Sequence, residues 1–506
     1  MLDALAEVLP VGAQKYGSKA ALVCGKRSFS FRELCNLSGQ LANALQGLGV
    51  GPGDRVTLYS QNCWEWIISY YAVSRLGAVI NPSNVMLTAD EVLFVVKDCG
   101  ARAILASPDK GEALLDMQGD SPLQHVILFG DHVPAGAHSF SDLLKRSKPE
   151  CDIVEVAPES LSTIGYTSGT TGHPKGAMLT HRNVLLNSAL TANMHVRTAA
   201  DTVVTPLPCA HVYGNVVMNG AFLCGMTLVL LERFNDADVL DAIQTHKATM
   251  FEGVPTMYMY LLNCPELNKY DLSSLTRCTV GGQTMPVSKM REVEARFGCP
   301  LLELWGMTEI AGLGTTHPFY GVNRHGSIGI ALPYVETRIA ATEDATQTLN
   351  QDEVGELMIR GPIVMEGYYG NERATRETIE GDGWLHTGDL ARTDKEGYIF
   401  VVDRKKDMIL TAGYNVYPAE LERVVAAHPA VAMVAVGSQP DELKGEIAKA
   451  YIVLKTGADV DEESILSFCR ERLAAYKVPR RVQFVADLPK TSTGKIMRRQ
   501  LRTLDA

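Results

Sequence analysis

The sequence is short of positive charge. Its 506 residues carry 47 Lys and Arg against 58 Asp and Glu, a net charge of −11. That balance argues against a general binder of nucleic acid or of anionic membranes and leaves room only for local basic patches. Long hydrophobic runs are missing too: no uninterrupted apolar stretch reaches the ~18 residues that would propose a transmembrane segment. The opening stretch MLDALAEVLPVGAQ lacks the basic n-region of a secretory signal, so a cytoplasmic location is expected. The eleven cysteines include no CxxC pair and no zinc-like Cys/His spacing, which predicts reduced, mostly buried thiols rather than disulfides or a structural metal. No internal repeat or low-complexity segment stands out.

What is there is an ordinary globular composition, 46% hydrophobic and 21% charged. The chain exceeds the ~250 to 300 residues at which one core usually stops growing, so two or more domains are expected. Short apolar runs such as ARAILAS, HVILFG, TLVLLE and ATMFEGVP alternate with helical patterns such as DADVLDAIQTHK and VSKMREVEARFG, which predicts an α/β body with mostly parallel sheets. The texture changes near the end. KEGYIFVVDRKKDMIL holds a turn at Glu396 and Gly397, a strand and a charged run, and Pro418 then opens the helix PAELERVVAAH with acids where the helix dipole favours them. The strands AMVAVG and AKAYIVLK and a helix around EESILSFCRERL follow, enough for a compact α+β domain of about a hundred residues. From Arg404 onward 17 basic residues meet 13 acidic ones, a net +4, which leaves −15 for the remainder. A small basic domain closing over phosphates would profit from such a field; unrelated variation of surface charge would give the same numbers.

The stretch IGYTSGTTGHPKGAM, Ile164 to Met178, gathers hydroxyls and glycines around one lysine, between an apolar run and a helical pattern. Backbone amides exposed by glycine, hydroxyls and an ammonium suit a polyanion such as a nucleoside triphosphate. It is not a Walker loop, because Lys175 follows Pro174 and precedes Gly176 where that motif needs Gly before the lysine and Ser or Thr after it. Alone, such a stretch is more often just a loop. Four distant stretches change its weight. LWGMTEI offers Thr308 for a phosphate and Glu309 for a divalent cation, and GWLHTGDL ends on Asp389, whose oxygens suit both hydroxyls of a ribose. VVDRKKDMIL supplies Arg404 and PKTSTGKIMRR supplies Lys495. Taken singly, Glu309 reads equally as a capping acid, Asp389 as a turn residue and Lys495 as a solvated lysine.

Together and in this order, YTSGTTGHPKGAM, WGMTE, HTGD, DRKKD and TGK resemble the adenylate-forming superfamily of acyl-CoA synthetases, luciferases and peptide-synthetase adenylation domains, over essentially the whole chain. The resemblance implies a large N-terminal domain, residues 1–403, that binds ATP and the acyl group. It implies a small mobile α+β lid, residues 404–506, turning about a hinge at Lys406. In that family the stretch matching Thr167, Ser168, Gly169, Thr170, Thr171, Gly172 and Lys175 holds the β- and γ-phosphates of ATP. Gly281, Gly282 and Gln283 would lie along adenine with Trp305 stacked on the base, and Asp389 and Arg404 would bind the ribose. Thr308 would meet the α-phosphate, Glu309 would hold Mg²⁺, and Lys495 would bridge carboxylate and α-phosphate during adenylation. After the lid turns, LTAGYNVYP would lie along the phosphopantetheine channel, with Gly413 leaving room for the thiol arm.

Peptide-synthetase domains carry an aspartate shortly after the position of His211; PCAHVYGNVV has none, which disfavours an α-amino acid and leaves coenzyme A as the more economical acceptor. His211 resembles the histidine that lines or gates the acyl pocket of acyl-CoA synthetases, although a lone histidine is more often structural. The same resemblance lines that pocket with Val212, Tyr213, Gly214, Val217, Gly281, Leu304, Met307 and Leu313, an apolar set that favours a hydrocarbon or aryl tail. Leu304 and Trp305 stand where relatives often have Gly and Tyr, added bulk that disfavours very long chains. The expectation is a Mg·ATP-dependent ligase of fatty-acid metabolism type that joins a medium-chain or aromatic monocarboxylate to CoA through acyl-AMP, with no side-chain nucleophile. Three alternatives stay open: a small-dicarboxylate CoA ligase in which Arg277 meets the second carboxylate, an acyl-AMP ligase serving a carrier protein, and a nucleotide or acyl-adenylate sensor without turnover. The resemblance is compatible with a homodimer.

Overall fold

The computed structural model describes residues 2–131, 133–167, 174–405, 407–411, 414–441, 445–491 and 494–505. The short apolar runs become the interiors of two large sheets. In a nine-stranded sheet Leu301–Met307, Arg277–Gly281, Met250–Gly253, Thr202–Thr205, Thr227–Leu230 and Ala20–Cys24 lie parallel, side by side, with antiparallel Gly312–Thr316, Ile330–Ala331 and Arg27–Ser30 at the edges. An eight-stranded sheet runs parallel from Leu161–Thr167 through Val79–Pro82, Arg55–Tyr59, Ala101–Ala106 and His125–Leu128 to His138–Ser139. Lys175–Thr180 and Gly367–Tyr368 close its other edge, antiparallel.

The helices between the strands start and stop on local signals. Ser30 with Glu33 and Thr88 with Glu91 form capping boxes for Phe31–Gly47 and Ala89–Cys99, and Asn235 caps Asp236–His246. One apolar cluster joins the sheets, with Val56, Leu58 and Ile80 from one, Leu22, Val203 and Leu304 from the other, and Phe31, Trp66, Tyr70 and Phe222 from helices between them.

A four-stranded antiparallel sheet, Glu336–Ala340, Gly355–Arg360, Leu385–Thr393 and Ile399–Arg404, sets Asp389 opposite Arg404. Beyond it Val431–Asp441 pairs with Gly445–Leu454, flanked by Ile409–Thr411 and Arg481–Phe484 and packed with the helices Pro418–Ala426 and Glu462–Arg470. Its cluster of Ile409, Leu421, Val436, Ile452, Ile465 and Val478 is drawn from this part of the chain alone. The protein is therefore α/β, with a large N-terminal body of mainly parallel sheets and a separate small α+β domain. Among the described residues no helix is long and apolar enough to cross a membrane.

One local expectation is corrected. The glycine and hydroxyl loop leads not into a helix but into the strand Lys175–Thr180, paired so that Thr167 faces Lys175. The helix His181–Met194 starts only after Thr180 caps it. Ala177 and Leu179 alternate into the core with period two, a strand pattern, so no helix N-terminus follows directly after Pro174.

Candidate active site

The parallel strands Arg277–Gly281 and Leu301–Met307 bring their C-terminal ends together, where ligands collect in sheets of this kind. Leu301–Met307 turns back on Gly312–Thr316 so tightly that a side chain on Gly306 would run into the Gly312 carbonyl. The turn holds Thr308 and Glu309 and is closed by Ala311 at φ 58°. Asn187 fixes it from the helix His181–Met194: its amide donates to the Ile310 and Leu313 carbonyls at 2.9 and 2.7 Å and accepts from Leu313 N–H at 3.1 Å. The Thr308 methyl comes within 2.9 Å of where a Cβ on Gly165 would sit.

Glu309 is buried and accepts a hydrogen bond from Tyr368 Oη at 2.9 Å. Burial pushes its carboxyl above the usual range, with Tyr368, Arg404 and Lys175 among the groups that oppose the shift. Lys175 Nζ stands 5.0 Å from the centre of the Tyr368 ring. Among the described residues no group of three or more His, Cys, Asp or Glu could hold a metal. A lone carboxylate beside a lysine fits magnesium delivered on phosphates, because that ion takes one or two carboxylates and keeps its other ligands on substrate and water.

Asp389 lies inside the strand Leu385–Thr393 and is not a turn residue. It accepts from Trp305 Nε1–H at 2.7 Å and pairs with Arg404 Nε at 3.3 Å. Burial raises its proton affinity, and Arg404 and Trp305 lower it. Lys495 is not a solvated lysine either: its stem crosses Gly282, where a Cβ would lie 2.6 Å from Lys495 Cε. Burial lowers its ammonium to about 8, Arg404 acts in the same direction, and Asp389 opposes both.

The loop that carries Lys495 is held from the large domain. Thr256 Oγ1–H donates to the Gly494 carbonyl at 2.6 Å. Gln283 Oε1 accepts from Ile496 N–H at 3.0 Å while its Nε2 donates to the Ile496 carbonyl at 3.2 Å. The Gln283 side chain is thus turned to the small domain. Further on, Arg498 donates to Asp403 at 3.1 Å, to Asp407 at 3.2 Å and to both oxygens of Glu422 at 3.2 and 2.7 Å.

His211 caps the helix Val212–Cys224, its Nδ1 accepting from Tyr213 N–H at 3.2 Å. Burial and the Lys495 charge push it down to about 3, so the ring is neutral. Tyr213, Val217, Leu304 and Leu313 share one apolar cluster, with Met307 packed against it; Val212 is half-buried at the start of the helix. Leu304 folds across Gly281 into the space that the glycine leaves. Gly214 abuts the Leu207 and Pro208 carbonyls, so its small size serves the packing of the helix start. Deeper down Tyr213 Oη–H donates to Thr279 Oγ1 at 2.7 Å, and Thr279 donates to Glu252 at 2.9 Å. Glu252 pairs with Arg197 at 2.8 Å, both side chains fully buried.

Arg277 is fully engaged elsewhere. It donates to both oxygens of Asp201 at 2.9 and 3.2 Å, to the His195 and Val196 carbonyls at 2.8 and 3.2 Å, and to Thr276 at 2.7 Å. Ser168, Gly169, Thr170, Thr171 and Gly172, Lys406 where the hinge is expected, and Gly413 lie outside the described residues. Asn187, Tyr368, Thr256 and the amide of Gln283 were not foreseen in these roles. No local pattern announces them, since partners such as Tyr368 with Glu309 and Thr256 with Gly494 stand 59 and 238 residues apart.

Known proteins resemble the chain in sequence and fold. Residues 9–369 match the model of the AMP-binding enzyme family, and residues 420–495 that of the AMP-binding enzyme C-terminal domain. A long-chain-fatty-acid–CoA ligase of Bacillus subtilis is 34% identical over 526 aligned residues, 98% of this chain and 94% of that protein. The anthranilate CoA ligase AuaEII in complex with anthranoyl-AMP superposes with a TM-score of 0.94 at 29% identity, covering 99% of this chain and 97% of that one. ATP-bound MatB from Rhodopseudomonas palustris gives 0.91 at 31%, covering 99% and 98%. A two-domain α/β fold of this kind defines an adenylate-forming enzyme. The chain belongs to the AMP-binding enzyme family and is an AMP-forming acyl-CoA synthetase. ATP and CoA fit that class as its substrates.

Proposed function

We propose that the enzyme converts a medium-chain or aromatic monocarboxylate and ATP to acyl-AMP and pyrophosphate, then transfers the acyl group to the thiol of CoA with release of AMP. The observation that carries this reading is Lys495 seated over Gly282, under the electrostatic influence of Asp389 and Arg404. In the first step a carboxylate oxygen attacks the α-phosphorus and pyrophosphate leaves. Two anions have to meet, and Lys495 takes up charge between them while Thr308 holds the α-phosphate, so catalysis is electrostatic and positional. Thr167, Lys175 and the loop between them hold the β- and γ-phosphates, Asp389 and Arg404 the ribose, and Trp305 the base. Magnesium carried in on ATP would be held by Glu309 and neutralises phosphate charge when bound.

In the second step the thiol sulfur attacks the acyl carbonyl carbon and AMP leaves. The Lys495 loop withdraws to admit the pantetheine arm, with the domain boundary at Arg404 and the turning point at residue 406. Neutral His211 borders the acyl site without adding charge.

The apolar set of Tyr213, Val217, Leu304 and Leu313 supports an uncharged tail, and Leu304 across Gly281 supports one of limited length. Below them the charge of Arg197 is matched by Glu252. A small dicarboxylate is disfavoured because all five N–H donors of Arg277 are engaged. Eleven free thiols suit a reducing, cytoplasmic setting. The test is AMP release with Mg·ATP across acids from acetate and malonate through medium-chain fatty acids to benzoates and cinnamates, with and without CoA. CoA-dependent turnover on medium-chain or aryl monocarboxylates is expected. Preference for malonate would overturn the substrate class, and acyl-AMP formation indifferent to CoA would overturn the acceptor in favour of a carrier protein.

A further inference from the structure

We propose that Gln283 and Thr256 are positioning residues: they form a latch that docks the Lys495 loop on the large domain for adenylation and must open before the thiol attacks. The inference rests on the reading of Lys495 as the adenylation lysine. Three consecutive residues of the small domain are gripped one after another. The Gly494 carbonyl is held by Thr256, the Lys495 stem lies on Gly282, and both backbone groups of Ile496 are taken by the amide of Gln283. In this last pair the side chain imitates a neighbouring β-strand, offering one donor and one acceptor to a single residue.

The described residues of the loop also bond to one another. Thr491 N–H donates to the Lys495 carbonyl at 2.7 Å, Gly494 N–H to the Thr491 carbonyl at 2.9 Å, and Lys495 N–H to Thr491 Oγ1 at 3.1 Å. Gly494 has φ +80°, and a Cβ there would lie 3.1 Å from Val254 Cγ2 and 3.2 Å from Thr256 Oγ1, so Gly494 lies close against Val254 and Thr256. A lysine on a flexible four-carbon stem is poorly fixed by its own side chain. Holding the backbone on both sides of it fixes where the stem starts and which way it points. The latch is made of neutral hydrogen bonds, which exchange for water at little net cost and therefore release when the domain turns.

The experiment compares Gln283→Met and Thr256→Val, singly and together, in the parent enzyme and in the Lys495→Ala enzyme. Acid-dependent pyrophosphate release, thioester formation from supplied acyl-AMP and CoA, KM for ATP and the thermal midpoint are read for each. The ratio of pyrophosphate release to thioester formation is expected to fall about tenfold in Gln283→Met and further in the double variant, through kcat. In the Lys495→Ala background the same changes are expected to add nothing, because they act through the lysine. Gln283→Glu keeps the acceptor and loses the donor, and is expected to fall between parent and Met. A higher KM for ATP with kcat unchanged, an equal loss in both half-reactions, or a full effect retained in the Lys495→Ala background would each overturn the latch. If Lys495→Ala cripples pyrophosphate release while Gln283→Met and Thr256→Val leave it intact, the latch fails alone. If Lys495→Ala itself keeps full pyrophosphate release, the role of the lysine fails and the latch with it.

Discussion

Lys495 of the small domain and Gly282 of the large one are in direct contact: the Cβ that Gly282 lacks would lie 2.6 Å from Lys495 Cε. Gly282 also stands at φ 90°, a conformation that side-chain-bearing residues rarely adopt. Gly282→Ala should therefore displace the lysine and lower acid-dependent pyrophosphate release at least tenfold, about 1.4 kcal/mol of transition-state stabilisation. Thioester formation from supplied acyl-AMP should fall less. Unaltered pyrophosphate release would mean that the lysine approaches the substrates from another side.

Burial brings the inserted Lys495 down to about 8, against 10.5 for an ordinary lysine. Between those values an inserted lysine is neutral while a withdrawn one is still charged, so alkaline pH favours insertion but removes the charge that adenylation uses. In the free enzyme kcat/KM for ATP should fall as pH rises through about 8. Lys495→Arg keeps its charge and should flatten that limb, whatever its absolute rate; a pH profile of both enzymes from neutral into the alkaline range reads the difference.

The indole N–H of Trp305 donates to Asp389 at 2.7 Å, so the aromatic residue orients the carboxylate assigned to the ribose. Hydrogen bonds to charged groups contribute about 1.5–3 kcal/mol, and Trp305→Phe should raise KM for ATP roughly tenfold or more. Loss of the donor raises the proton affinity of Asp389 further, so the defect should grow as pH falls. A pH-independent KM would separate the indole from the carboxylate.

Leu304 covers Gly281. Leu304→Ala should shift the ratio of kcat/KM for long-chain over medium-chain acids upward by about tenfold, while the lost packing destabilises the protein by about 2–5 kcal/mol. A melting curve together with a chain-length series checks both halves, and an unchanged preference would show that another residue ends the pocket.

Much of this was legible in the sequence wherever a signal repeats locally. The run DADVLDAIQTHK becomes the helix Asp236–His246 because its apolar residues recur at helical spacing behind an Asn cap. Asp389 could be singled out by its motif, but its place in a strand could not: Gly388, at φ 70°, reads as a turn residue and in fact kinks a strand that continues past it. Arg277 could be seen and not assigned, since Asp201, the acid that claims it, lies 76 residues away. Gln283 sits beside two glycines that the family pattern explains, yet its amide serves a backbone 213 residues downstream. Such pairings depend on how the domains meet, which periodicity does not encode.

Arg498 lies three residues after Lys495 and binds Asp403 and Asp407, which stand on either side of residue 406. With the turning point proposed at residue 406, fulcrum and lever tip would be fastened by one bolt. Turning the chain there would draw the Asp403 carboxylate off the guanidinium, a threshold built from the protein's own ion pair and not from the shape of its cargo.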